Sequence, residues 1–466
     1  MNWITAFKDK KIVVLGAGMT GLSCLRFLHA QGLSFAVNDS RAMPFANEER
    51  FAQYQKDYPQ VNFVLGLWQQ ELLASADVII ASPGIDLDKE GISGFISSKC
   101  EVIGDVELFC QLNNQNNKPM SMLAVTGSNG KSTVVSLLAF IAKELGIAAE
   151  LAGNIGEPIL DLLLKTDNSK PVDMVIAELS SFQLETLKSM NAIATSVLNL
   201  SDDHLDRHKT LANYQSIKQS IYPQGKVAVI NRQDKATITL VENQEVISFG
   251  IDKPEYGHFG LNTIGDSTWL MFGEQALIAL ENLPLAGLHN ALNYMAALAL
   301  GHCAGWPIPE MVVKMSGFNG LEHRCQRIPS NDKIQWINDS KATNVGATLA
   351  AIAGLSPTLN ENNKLILIAG GDGKGADFTP LKPLLSNEVS HLITLGKDGN
   401  EIARLTKDSI KVSTLLDAVI QAKKLAKSGD MVLLSPACAS IDMFKNYMVR
   451  GETFVEAISA QEVLCH

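Results

Sequence analysis

No Cys-x-x-C pair occurs in this sequence, and its seven cysteines (Cys24, Cys100, Cys110, Cys303, Cys325, Cys438 and Cys465) are scattered and odd in number. That argues against a disulfide framework or a paired-cysteine zinc site and reads as reduced thiols in a cytosolic protein. No basic run offsets the formal net charge of −10, which argues against duplex nucleic acid as a partner; phosphates can still be bound locally. The opening MNWITAFKDKK lacks the apolar core of a signal peptide, and no uninterrupted apolar run reaches the length of a membrane span. The expectation is a cytoplasmic protein with no membrane span. Internal repeats and low-complexity segments are also missing.

At 466 residues, 46% hydrophobic and 19% charged, the chain is too long for one ordinary core, so two to four globular domains are expected. Short Val/Ile/Leu runs recur, four followed by glycine turns, KIVVLGAG (11–18), ADVIIASPG (76–84), MLAVTGSNG (122–130) and KLILIAGGDGKG (364–375), and one by serines, MVIAELSS (174–181). Without polar alternation, such runs predict parallel strands covered on both faces, and interleaved helical patterns make the architecture α/β. Ligands in such sheets bind beyond the carboxyl ends of the strands, where these glycines lie. Three regions separate, at 1–104, 105–320 and 321–466; the first break falls before the apolar helix around Val106–Phe109.

The first region carries GAGMTG, with Gly16, Gly18 and Gly21 in G-x-G-x-x-G register after a strand. A second strand, SFAVND, ends in Asp39, at the distance expected for a carboxylate gripping a ribose hydroxyl. The reading is a nucleotide diphosphate held by N–H groups at a helix N-terminus; the alternative is a tight turn with no ligand. NAD would be the default nucleotide, yet nothing later in the chain supports hydride chemistry.

The second region carries VTGSNGKST (125–133), which nearly fits the phosphate-binding pattern G-x-x-x-x-G-K-[ST]. Val125 stands where the loop should open with glycine, and Gly127 follows two residues later. Such a site needs N–H groups aimed at phosphate, a lysine for the β/γ charge and a hydroxyl for Mg²⁺. Gly130, Lys131 and Ser132 keep all three.

The form T-G-x-N-G-K-[ST] resembles the Mur ligases and the related folylpolyglutamate synthetases. GNIG (153–156), ELSSFQLE (178–185), SDDHLDRH (201–208), HNALN (289–293), WINDSKATN (336–344), GGDGKGADF (370–378) and SPACASIDMFKNY (435–447) fall in family order across nearly the whole chain. The last three are similar to the D-glutamate-adding branch of the Mur ligases. The resemblance implies three α/β domains: a Rossmann-like domain for the UDP substrate, a central P-loop ATPase-type domain, and a Rossmann-like C-terminal domain for the incoming amino acid. It implies ATP-dependent phosphorylation of the carboxylate of UDP-N-acetylmuramoyl-L-alanine, then attack by the amine of D-glutamate on the acyl phosphate. A carboxylate is a poor electrophile, and its approach to the γ-phosphate needs strong charge neutralisation.

By the same resemblance, ATP falls to Gly127, Ser128, Asn129, Gly130, Lys131, Ser132, Thr133, Asn290, Asn293, Arg324 and Asp339, with Lys341 beside the reacting carboxyl. Mg²⁺ falls to Ser132 and Glu178, and a second Mg²⁺ to His204 and a carbamylated Lys218. Carbamylation requires a neutral amine, so the Lys218 pKa should fall through desolvation or nearby cations. The stretch between His204 and Lys218 is one residue shorter than the family pattern, which leaves Lys209 as a competing candidate. The UDP substrate falls to Met19, Thr20, Asp39, Ser40, Arg41, Gly84, Asn154 and His204. D-glutamate falls to Thr343, Lys374, Ser440 and Tyr447, the last standing where the family pattern has Phe.

Plainer readings accompany several of these. Glu178 could cap the following helix, Asn290 could be a helix N-cap, Lys218 could be an exposed helical lysine, and Ser440 could simply pack near a turn. INRQD (230–234) imitates a guanine-reading motif in the wrong register and reads as a turn after a strand. An NAD-dependent oxidoreductase would explain only residues 11–39, and a GTPase-type switch little more. Two nucleotide sites on separate domains predict closure of the third domain onto the acyl phosphate, in a chain expected to be monomeric.

Overall fold

A computed structural model describes residues 3–165, 172–238, 241–285, 287–360 and 362–463. The first sheet holds β1 (Ile12–Leu15), β2 (Phe35–Asp39), β3 (Asn62–Leu65), β4 (Val78–Ala81) and β5 (Glu101–Ile103), all parallel, in the order β3-β2-β1-β4-β5. β1, β2 and β4 are buried at every residue, as uninterrupted apolar runs require. The strand order reverses at β1, and the G-x-G-x-x-G turn leaves from that switch point into the helix Met19–Ala30. A side chain at Gly21 would place its Cβ 1.7 Å from the Gly16 carbonyl oxygen, so the third glycine is what lets this helix lie against the turn.

The second sheet is also wholly parallel: β6 (Ser121–Thr126), β7 (Ala149–Gly153), β8 (Met174–Glu178), β9 (Ala192–Val197), β10 (Gly225–Asn231) and β11 (Glu245–Phe249), in the order β11-β10-β9-β6-β8-β7. β6 sits centrally between β9 and β8, and the phosphate loop leaves its carboxyl end. An antiparallel meander of β12 (Phe259–Ile264), β13 (Ser267–Phe272) and β14 (Gln275–Ala279) follows, which the reading of buried runs did not anticipate. Its two turns carry Gly265 and Gly273 at φ +63° and +54°.

The fourth sheet runs β15 (Gln326–Ile328), β16 (Gln335–Asn338), β17 (Leu365–Gly370), β18 (Val389–Leu395), β19 (Ser409–Lys411) and β20 (Met431–Leu434), in the order β15-β16-β20-β17-β18-β19, antiparallel only at β15. One apolar cluster is continuous from Val14 and Ile80 of the first sheet, through Leu108 and Phe109 of the helix Asp105–Gln115, to Ala124 and Ala177 of the second. The faces of the fourth sheet have separate clusters drawn from Ile328 onward, with Cys325 at their edge. The first two sheets are thus joined by packed side chains, and the fourth approaches the second through polar groups at the site.

Candidate functional site

The phosphate loop is shaped by backbone that glycine tolerates best. Gly127 has φ +145° and Gly130 φ +81°. A Cβ on Gly130 would stand 2.5 Å from Asn293 Oδ1, so the loop touches the helix Leu288–Cys303 directly. Asn129 N donates to Asn199 Oδ1 at 2.8 Å, and Ser128 Oγ accepts from Ser201 N at 2.9 Å and meets Tyr214 Oη at 3.2 Å. Lys131, the first residue of the helix Lys131–Glu144, folds its ammonium back onto the carbonyls of Gly127 and Ser128 at 2.7 and 2.8 Å. Enclosure lowers its pKa, with Glu178 and Asp203 opposing.

Glu178 closes β8 and is buried. Its Oε1 accepts from Asn154 Nδ2 at 2.7 Å, and its Oε2 is buried with no hydrogen-bond partner among the described residues. The following helix, Ser181–Leu184, is capped by Ser180 in a reciprocal box with Gln183, so capping is not the work of Glu178. Asn154 therefore lies at this carboxylate and is absent from the lining of the first-domain cavity described below.

Lys218 is 1% exposed, which overturns the exposed-lysine reading, while Lys209 is on the surface. The Lys218 ammonium donates to Thr126 Oγ1 at 3.0 Å and sits 4.9 Å from the Tyr214 ring centroid. Desolvation first, and Lys131 second, hold its pKa well below the usual lysine value. The amine thus has the depressed basicity that carbamylation requires.

Across the cleft, Arg324 Nη2 donates to Ser132 Oγ at 2.7 Å. Its neighbours His323 and Cys325 both have left-handed backbone, at φ +61° and +44°, which aims the intervening side chain at the phosphate loop. Asp339 accepts from Ser435 Oγ at 2.8 Å and Cys325 N at 3.2 Å, and burial pushes its pKa up to about 6. The Lys341 ammonium stands 4.0 Å over the Tyr447 ring; burial first, then Arg324 and Lys131, lower its pKa to about 8. Asn344 and Asn129 exchange side-chain amide bonds at 3.2 and 3.4 Å, a further link between the two domains.

Between these walls lies a cavity of about 630 Å³ lined by Asn129, Gly130, Thr133, Asn290, Asn293, Arg324, Asp339 and Lys341 among others. Asn290 and Asn293 share it and are joined at 3.3 Å; the helix N-cap is Gly287, so Asn290 is a lining residue within the first turn. A second cavity, of about 390 Å³, gathers Met19, Thr20, Asp39, Ser40, Arg41 and Gly84 with Gly16 and Gly18. In it Asp39 is committed to the protein: it accepts from Ala17 N at 2.8 Å and grips Arg41 through Nε at 2.9 Å and Nη2 at 2.6 Å. The carboxylate read as a ribose ligand thus braces the first loop and orients Arg41.

The models of three protein families match successive parts of the chain: the Mur ligase MurD-like N-terminal domain at 10–104, the Mur ligase middle domain at 125–301, and the Mur ligase glutamate ligase domain at 323–438. A UDP-N-acetylmuramoylalanine--D-glutamate ligase from Colwellia psychrerythraea is 69% identical, covering 100% of both chains. One of the same name from Shewanella violacea is 44% identical over 98% of this chain and 97% of its own. The chain belongs to the Mur ligase family. Solved Mur ligases share the fold at low identity. MurF from Thermotoga maritima in complex with ADP has a TM-score of 0.61 at 15% identity, covering 100% of this chain and 98% of its own. The UDP-N-acetylmuramate-alanine ligase MurC from the same organism has a TM-score of 0.59 at 18% identity, covering 97% and 100%.

Mur ligases use ATP and Mg²⁺. In this one the orphaned Glu178 Oε2 and the Ser132 hydroxyl are hard oxygen donors at the mouth of the phosphate loop and suit that ion. His204 (φ +52°) lies 3.7 Å from Asp203 and packs edge-on to Phe182. Among the described residues no group of three or more His, Cys, Asp and Glu side chains converges on a point. Lys374 pairs with Asp203 at 3.7 Å, bringing the GGDGKG loop to the central domain. Ser440 is buried and Tyr447 lies under Lys341; Thr343, Lys374, Ser440 and Tyr447 do not line either cavity together. In INRQD, Asn231 Nδ2 donates to Leu198 O and Asp234 accepts from Leu200 N, both at 2.7 Å, so the motif pins the end of β9. Sequence reading missed Asn199, Tyr214, Asn344 and Asp203. Asp203 and Asn344 had a visible signal, as members of the quoted SDDHLDRH and WINDSKATN.

Proposed function

We infer that this chain is an ATP-dependent amide ligase that adds D-glutamate to UDP-N-acetylmuramoyl-L-alanine, a step of peptidoglycan precursor synthesis. The observation that carries the reading is the meeting of Lys131, Ser132 and the unpaired Glu178 oxygen with Arg324 and Lys341, in a chain 69% identical to a ligase of that name. ATP occupies the larger cavity, its base against Asn290 and Asn293 and its ribose toward Asp339. The phosphates lie along 127–133, where Lys131 exchanges its own-loop carbonyls for phosphate oxygens. The UDP substrate occupies the first-domain cavity and reaches toward Asn154 and Glu178.

A carboxylate oxygen of the alanyl group attacks the γ-phosphorus, the bond to the bridging oxygen breaks, and ADP leaves. The amine of D-glutamate then adds to the acyl carbon, loses a proton, and expels phosphate. Lys131, Arg324 and Lys341 offset the negative charge that gathers at the transferring group. Ser132 and Glu178 would hold Mg²⁺, which would supply further charge neutralisation at the phosphates. A second Mg²⁺ with His204 and a carbamylated Lys218 is the finer part of the proposal, supported by the burial and lowered basicity of that amine. Thr343, Lys374, Ser440 and Tyr447 hold D-glutamate. Domain limits of 1–104, 105–320 and 321–466, a monomeric state and a cytoplasmic location complete the reading.

The test is Mg²⁺-dependent phosphate release from ATP with UDP-N-acetylmuramoyl-L-alanine and a panel of amino acids. Release that requires both substrates and prefers D-glutamate over L-alanine, L-lysine and diaminopimelate is expected. No release with any amine would leave two nucleotide-binding folds without this chemistry.

A further inference from the structure

Arg450 lies one turn into the helix Tyr447–Val463 and is 3% exposed. Its guanidinium forms no salt bridge among the described residues. It donates instead to three oxygens: Nε to Ser340 Oγ at 3.0 Å, Nη2 to Ser340 O at 2.7 Å and Nη1 to Cys438 O at 3.1 Å. Burial lowers its pKa to about 10, so it remains a cation at neutral pH. A cation buried without a carboxylate is costly, and here its donors go to one hydroxyl and two carbonyls of functional loops.

Three loops meet at this side chain. Ser340 lies between Asp339 and Lys341, and its hydroxyl also donates to Tyr447 O at 2.8 Å. Cys438 precedes Ser440 by two positions. The third loop carries Lys374: a Cβ on Gly371 would stand 3.3 Å from Arg450 Nη1 and 2.3 Å from Ala439 O. That loop is sewn to the Cys438 loop by Asp372 N to Ala439 O at 3.0 Å and Ala439 N to Asp372 O at 2.8 Å. The same helical turn presents the Tyr447 ring beneath Lys341. The first two loops are also joined by the Ser435–Asp339 bond; Arg450 adds two bonds to Ser340, next to Lys341, and one to Cys438.

We propose that Arg450 is the positioning residue of the amide-forming centre, tying Lys341 to the loops of Ser440 and Lys374 so that the acyl phosphate and the incoming amino acid meet in register. The inference rests on the functional reading above. It separates the two substrates of the C-terminal domain, because Asp339 accepts from Ser435 and Cys325 and Arg324 donates to Ser132, none of these bonds involving Arg450.

The experiment compares wild type with Arg450→Lys and Ser340→Ala in the full chain, by thermal unfolding, ADP affinity from calorimetry, and kcat and KM for ATP and D-glutamate. In Arg450→Lys, ADP affinity and KM for ATP stay within about 2-fold, KM for D-glutamate rises about 10-fold and kcat falls about 100-fold, the scale of ångström misplacement. Ser340→Ala, which leaves the carbonyl bonds to Arg450 in place, moves the same two parameters less. The proposal is overturned if a folded Arg450→Lys keeps kcat and KM for D-glutamate, or if it loses ADP affinity by the same factor, as general loosening would require. Should Arg450→Lys not fold, Ser340→Ala decides by the same split. A wild type without D-glutamate-dependent phosphate release removes the functional reading itself, before any variant is compared.

Discussion

The guanidinium of Arg324 lies 2.7 Å from the hydroxyl of Ser132, a residue 192 positions earlier in the chain. The bond closes the cleft between the fourth sheet and the phosphate loop, and its donor is a cation placed where nucleotide phosphate is proposed to lie. Lysine cannot reproduce a planar fork from a loop of this shape. Arg324→Lys is expected to raise KM for ATP about 10- to 100-fold, the range of one lost charge-assisted bond. Steady-state ATP titration checks this, and an unchanged KM would mean that the bond is not used in the nucleotide complex.

Lys218 and Lys209 make opposite predictions. Lys218 is buried against Thr126 and Tyr214 and Lys209 is exposed. Lys218→Ala should lower kcat about 100- to 1,000-fold, as loss of a preorganised charge does. Added formate or acetate, standing in for the carbamate, should restore part of it, and Lys209→Ala should stay near wild type. Unimpaired Lys218→Ala would end the carbamate proposal.

Activity should fall on the alkaline side through Lys341. Its pKa is lowered to about 8, so the side chain is an ammonium below that pH and loses its charge above it. The cation is proposed to offset the transferring phosphoryl group, and on that reading kcat should decline as pH rises through about 8. Lys341→Arg keeps the charge and should move the decline to higher pH, at a lower absolute rate. A pH–rate profile identical in the two proteins would assign the limb elsewhere.

Glu178→Gln keeps an oxygen for Asn154 and removes the charge. The expected result is a rise of about 10-fold or more in the Mg²⁺ needed for half-maximal rate, with thermal stability preserved because Gln keeps the buried bond to Asn154. Mg²⁺ titration with parallel thermal melts reads both, and an unaltered Mg²⁺ dependence would remove Glu178 from the ion.

Gly21→Ala tests the first domain. The added Cβ would meet the Gly16 carbonyl oxygen at 1.7 Å, and backbone must move to admit it. A loss of about 1–3 kcal/mol in urea unfolding is expected, together with weaker binding of the UDP substrate. Unchanged stability would show that the helix Met19–Ala30 can slide on its sheet.

Local chemistry was legible wherever one stretch of chain does the whole job. The buried runs IVVL, VIIA, MVIAE and LILIAG became parallel strands, and Gly16 after the first and Gly370 and Gly371 at the end of the last lie at the carboxyl ends because positive φ and close packing are local demands. The antiparallel meander was missed although Gly265 and Gly273 stand between short mixed runs, because a search tuned to buried parallel strands passes over hairpins with one wet face. Met19, Thr20, Asp39, Ser40, Arg41 and Gly84 do share one cavity, but only the tertiary structure reveals that Asp39 is occupied by Ala17 and Arg41.

By itself, then, the sequence determined the family, the α/β class and the phosphate loop, since these follow from strand runs, spacing and motif order within single segments. The tertiary structure alone decided which lysine is buried, which oxygen of Glu178 lacks a partner among the described residues, and which loops Arg450 joins. Burial, desolvation and hydrogen-bond satisfaction are properties of what surrounds a group, and for Lys218, Arg324 and Arg450 that surrounding is assembled from segments far apart in the chain.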